Sequence, residues 1–266
     1  MKKVLLSMLA ILIATGCSFS LKNKVNEENK NSTNAIEKQT YESLNIDDSL
    51  VTELYNKIDY YLYYGPYMGY FYQKDSISVD DMDNKLKLYL ALNNAETTSD
   101  ESGDILLISD SSVKKAMEDL FGNIDYKNES LANSKPCGFN GAQYDESKKQ
   151  YSIFMACGGT GYPYYMTKLV QARKYSDKIE IYEKHIAGMP SFDDESNMLK
   201  SSVYKDFKLG DNNETSDIVG IDLISENVDD LNTNLDYYMK QVDTCYKYTF
   251  KLENGKYHFY SAEKVK

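Results

Sequence analysis

The densest chemistry in this chain lies at residues 156–161, Ala-Cys-Gly-Gly-Thr-Gly. A cysteine followed by glycine offers a thiolate nucleophile beside a backbone N–H that can stabilise an oxyanion. Such a thiolate needs a base. The chain has two histidines, His185 and His258, and both fall in stretches that read as strands. No cysteine-protease signature surrounds Cys157, and the glycine run lacks the trailing Gly-Lys-Ser/Thr of a phosphate loop. No Cys or His pair stands at ligand spacing, so neither a metal nor a cofactor is expected. Carboxylates are plentiful, but no pair stands out as the two acids of a glycoside hydrolase.

The second concentration is aromatic. Residues 60–72 read YYLYYGPYMGYFY and contain Tyr63, Tyr64, Tyr67, Tyr70 and Tyr72. Clustered rings stack on sugars or peptides, which makes these five tyrosines the candidate binding surface. The competing reading is that tyrosine serves here as the bulky core residue. The chain has 25 tyrosines, one arginine and no tryptophan, a bias that follows AT-rich coding.

Residues 1–16 have the form of a signal peptide: Lys2 and Lys3, an apolar run too short for a permanent membrane span, then Ala14-Thr15-Gly16 before Cys17. This resembles the bacterial lipoprotein signal, in which small residues precede a cysteine that is lipidated and becomes the mature N-terminus. Ala14 stands where that motif usually carries leucine. The resemblance implies that Cys17 is a palmitate-type attachment point outside the fold. Residues 17–46 are polar and asparagine-rich with cancelling charges, a composition that cannot offset its ordering entropy, and read as a tether. About 30 such residues reach on the order of 30 Å.

Residues 47–266 remain for a single extracytoplasmic domain. The whole chain carries −11; the signal lysines contribute +2 and the tether nothing, so the domain carries −13. That charge argues against nucleic acid as a partner and against adhesion to anionic lipid surfaces. Cys137, Cys157 and Cys245 lie outside the anchor, in a compartment where disulfides persist. The favoured pairing is Cys137–Cys157, because both flank one sheet edge and Gly138 and Asn140-Gly141 turn the chain back. Closing that loop would stabilise by roughly 3 kcal/mol.

The elements that position these residues follow from periodicity. Helices are predicted over 48–62, 78–93 (capped by Ser78), 110–121 (stopped by Gly122) and 226–242. Strands are predicted at 151–157, in a hairpin with arms 165–174 and 178–186, at 203–209 and 218–224, and in a final hairpin around Asn254-Gly255. The fold class is therefore α+β: a helical part at 47–122, and a sheet-rich part at 123–266 that is antiparallel with a late helix before the C-terminal hairpin. A cystatin-like or NTF2-like curved sheet would suit that order.

The lipobox-type signal, the Asn/Lys-rich tether, the helix ending Leu120-Phe121-Gly122 and the terminal hairpin resemble uncharacterised lipoproteins of low-GC Gram-positive bacteria. The resemblance implies an address, the outer face of the cell membrane, and no activity. The function expected is a membrane-anchored extracellular binding domain for a cell-wall glycan, a small molecule or a surface protein. The alternative is an exported hydrolase centred on Cys157 or on a carboxylate pair.

Overall fold

The computed structural model describes residues 40–59, 70–131, 141–155, 164–192, 198–208, 219–229 and 232–266. They form two antiparallel sheets. The larger has eight strands: β1 (Glu42–Leu44), β2 (Ser76–Ser78), β7 (Tyr164–Lys174), β8 (Lys178–Phe192), β9 (Met198–Lys208), β10 (Val219–Val228), β11 (Cys245–Glu253) and β12 (Lys256–Val265). The smaller has the order β3-β4-β6-β5, built from Thr98–Ser99, Ile105–Ser109, Gln150–Phe154 and Gln143–Asp145 respectively. Four α-helices are described: α1 (Ser49–Asp59), α2 (Asn84–Asn94), α3 (Asp110–Phe121) and the single-turn α4 (Leu235–Met239).

This overturns the expected α+β layout. Strand outweighs helix, 46% against 27%, and the chain is not divided into a helical half and a sheet half closed by a late helix. The cystatin-like or NTF2-like arrangement goes with it. Two local causes are visible. The predicted late helix rests on Val228, Leu231, Leu235, Tyr238 or Met239, and Val242, whose apolar spacing suits a helix. In the structure Val228 ends a strand, and Val228, Leu235, Tyr238, Met239 and Val242 meet as a patch around Ile186 and Val203, while Leu231 lies outside the described residues. Their spacing reports a shared cover for the sheet, not one continuous helix. Second, the apolar run Ile105–Ser109 is an internal strand of the small sheet, so sheet is interleaved with the early helices.

Other boundaries move for similar reasons. Ser78 ends β2 and opens a 3-10 turn at Val79–Asp81, while the helix proper begins at Asn84, where Asp83 accepts the Leu86 N–H at 2.7 Å. Of the strand predicted at 151–157, residues 151–154 lie in β6 of the small sheet, whereas β7 and β8 belong to the large one. The large sheet also reaches back into the stretch read as tether, since Glu42–Leu44 pairs with β7.

Strand β8 is the axis of the large sheet. Along one edge it pairs with β7 from Ile179 to Gly188. Along the other edge its first half, 178–183, pairs with β11, and its last part, from Ala187 onward, pairs with β9. The sheet therefore forks at residues 184–186. A bulge at Val170 in β7 shifts the alternation there, so that Leu169 and Ala172 share the face of Ile181 while Gln171 and Arg173 turn to the other.

On the inner face Ile179, Ile181, Tyr246, Tyr248 and Phe250 pack against α1, α2 and α3 in the main core. Helix α2 is buried nearly all round, from Leu86 to Leu92. On the outer face α4 covers the fork end of β8, and Lys184 donates to the Val242 carbonyl at 2.7 Å, at the end of that cover. The remainder of the outer face is polar. The terminal hairpin turns at Asn254 and Gly255 with φ of 51° and 83°, as a tight two-residue turn between twisted strands requires.

Candidate functional site

The inner parity of β8 runs Ile179, Ile181, Glu183, His185, Ala187, and so places an acid and an imidazole where the core expects apolar residues. Both sit at or beside the fork. Glu183 is fully buried and receives the hydroxyls of Tyr55 on α1 and Tyr72 on the 3-10 turn Tyr70–Gln73. Tyr248 of β11 approaches its Oε1 at 3.4 Å, and Thr167 of β7 lies 3.1 Å from the Tyr55 hydroxyl. A buried carboxylate is tolerable because charge-assisted hydrogen bonds replace its water. Burial, reinforced by the negative charge of Glu183, pushes the Tyr72 phenol well above its ordinary range, so Tyr72 remains a donor at any physiological pH.

His185 stacks face to face on the Tyr72 ring at 3.7 Å and lies edge-on to Tyr165. Tyr246 closes the other side and donates its hydroxyl to the Tyr72 carbonyl at 2.9 Å. Burial, with a smaller contribution from the Lys264 charge, lowers the His185 pKa to about 3. The imidazole is therefore neutral, and its Nε2 has no hydrogen-bond partner among the described residues. As a general base it would need a proton donor in hydrogen-bond reach; what it has is aromatic faces.

A second polar cluster lies on the outer face. Glu180 is 4% exposed and takes Lys178 at 2.6 Å, with Lys247 at 3.8 Å and the hydroxyls of Tyr182 and Tyr175 at 2.8 and 3.0 Å. Burial alone would raise its pKa, but the Lys178 and Tyr182 hydrogen bonds outweigh that and hold the carboxyl below its usual range. Arg173, the single arginine of the chain, lies with its guanidinium 4.8 Å from the rings of both Tyr41 and Tyr182.

Of the five candidate binding tyrosines, Tyr72 is 4% exposed and committed to Glu183 and His185, so it belongs to the core and not to a stacking surface. The side chains of Tyr63, Tyr64, Tyr67 and Tyr70 lie outside the described residues, as do Cys17, Cys137 and Cys157. Cys245 is fully buried at the start of β11 and is disulfide-bonded. The remaining histidine, His258, is buried against Gly122 at the end of α3. Among the described residues no group of three or more His, Cys, Asp or Glu is placed to hold a metal ion. None of their helices is long and apolar enough to cross a membrane.

Sequence reasoning did not single out Glu183, Tyr55 or Tyr248. A signal was present: extending the Ile179, Ile181 alternation by two steps puts Glu183 and His185 on the core side of the strand. No family model matches the chain, and no curated protein or solved structure matches it.

Proposed function

We propose that this chain is a lipoprotein held on the outer side of the cell membrane through Cys17, and that its folded domain acts by binding a cell-wall glycan, a small molecule or a surface protein. One observation supports binding over catalysis. The acid and the imidazole best placed for chemistry, Glu183 and His185, are sealed in the core, 0% and 3% exposed, and are engaged by tyrosines of α1, the 3-10 turn and the two strands β7 and β11. Substrate chemistry needs a reacting atom within about 3 Å of such groups, which this packing does not admit. The disulfide at Cys245 supports an oxidising, extracytoplasmic address, where such bonds persist.

The test has two arms. The mature protein from a bacterial host should carry a mass increment of a diacylglyceryl group on Cys17, and Cys17→Ser should move it to the soluble fraction. A variant that remains membrane-bound without that increment would remove the anchor from the reading. Pull-down of the domain on isolated cell-wall sacculi, compared with a thermal-shift screen of small molecules and cross-linking on intact cells, then sorts the three ligand classes. Hydrolysis of wall material by the purified domain would replace binding with catalysis.

A further inference from the structure

The fork divides the large sheet between two cores. One arm, β11 and β12, is fixed in the main core by Tyr246, Tyr248, Phe250 and Phe259. The other, β9 and β10, buries Val203 and Val228 in a smaller, separate cluster with Ile186, Tyr238, Met239 and Val242, while Tyr204 leans on the main core. Backbone pairing holds β9 to β8 from Ala187 onward, and β10 pairs with β9. Ala187 with Tyr204 is the last pair before the strands part. Two positions further along each strand, His185 and Asp206 share the inner parity on either side of the gap. From the opposite arm Lys264, the β12 neighbour of Tyr246, meets Asp206 at 3.5 Å. An ion pair that keeps about 30% of its surface exposed therefore ties arm to arm near a buried imidazole.

The groups that face His185 are Glu183 on its own strand, Tyr72 of the 3-10 turn, Tyr165 and Thr167 of β7, and Tyr246 of β11. Lys264 of β12 and Asp206 of β9 lie across the gap, and beyond them Asp75, whose carbonyl accepts the Lys264 N–H at 2.8 Å. Among the described residues His185 Nε2 meets no acceptor, so the closed fork holds no place for a second proton on the ring. We infer that the β9–β10 arm is a flap that parts from β8 at residues 184–187, and that acid opens it because His185 takes up a proton only when the fork has parted. The Asp206–Lys264 pair is its latch. A unit with its own small core and one paired edge opens without unfolding the rest. The sign follows from linkage: a hydrated imidazole titrates near 6.5 and the closed fork holds His185 at about 3. Closure is thus fully favoured above pH 6.5 and weakens toward pH 3. Between pH 7 and pH 5 the opening equilibrium rises about 25-fold.

Amide exchange of the purified protein, read by mass spectrometry at pH 7 and pH 5, tests this. Each rate is divided by the intrinsic rate at its own pH, so that protection factors are compared. Residues 201–206 and 220–228 should lose protection by about 25-fold at pH 5. Residues 246–252 and 257–263 of the other arm should hold theirs within about twofold, since their opening exposes the main core. His185→Phe should remove the pH dependence of the flap. Asp206→Asn, which weakens the latch, should lower flap protection already at pH 7 and keep the pH response. Equal loss in both arms, or no loss in either, overturns the inference. So does a response that survives in His185→Phe, which would place the proton on Glu183, or one that vanishes in Asp206→Asn, which would place it on Asp206. Where His185→Phe does not fold, the contrast between the two arms of the unsubstituted protein decides together with Asp206→Asn.

Discussion

His185 makes a pH dependence that can be read at a single residue. Its folded pKa of about 3 lies below the ordinary 6.5, so the unfolded chain binds a proton first as pH falls. The associated stability is complete above pH 6.5 and is lost progressively down to pH 3; between pH 7 and pH 5 the loss is about 2 kcal/mol. Urea unfolding at those two pH values should show it, and His185→Phe should flatten the difference. Equal pH sensitivity in both proteins would mean that other groups dominate. Glu183 gives a stronger effect at constant pH. Glu183→Ala removes the shared acceptor of the buried Tyr55 and Tyr72 hydroxyls, leaving Tyr55 with Thr167, and should cost on the order of 3 kcal/mol. Tyr72→Phe removes one donor of the set and should cost less, about 1–3 kcal/mol.

At the scale of elements, two glycines test the sheet. Gly255 sits at φ 83° with open space around it, so Gly255→Ala costs only backbone strain, about 1 kcal/mol, measurable as a shift in unfolding midpoint. At Gly220 in β10 an added Cβ would lie 2.5 Å from the Tyr204 ring of β9. Gly220→Ala should therefore loosen the β9–β10 arm and speed amide exchange there, leaving β11 and β12 protected. These positions also show what the sequence could convey. Asn254-Gly255 and the β7–β8 hairpin were legible because turn chemistry and alternation are local. The fate of residues 226–242 was not, because Val228, Tyr238, Met239 and Val242 carry helical spacing yet gather over Ile186 and Val203 from a strand and a single turn. Strict alternation would put Leu169 and Gln171 on one face, and the bulge at Val170 that separates them has no composition cue of its own.

For the whole molecule, the Cys245 disulfide ties the start of β11, the first strand of the C-terminal hairpin, to a cysteine outside the described residues. Reduction should lower stability by about 2–4 kcal/mol. Alkylation without reductant, followed by peptide mapping, should find Cys245 unlabelled and identify its partner; a labelled Cys245 would contradict the structure. The candidate site was the least legible level of all. Glu183 gains its meaning from Tyr55, 128 positions away, and from Tyr72, 111 away. No window of sequence holds that juxtaposition, and a single chain offers only the polar residues at core parity as a hint.

The same distances bear on how the protein is made. The fork on β8 is completed only when β11 arrives, and the Tyr246–Tyr72 contact closes 174 positions of chain. A topology so dominated by distant pairings searches slowly for its native state. Until the last hairpin emerges, the β8 edge has no β11 to pair with, and the inner-face acid and imidazole keep their water. Were the chain exported, as proposed above, that delay would be useful: it would prolong the unfolded interval during which a polypeptide can be threaded through a narrow channel.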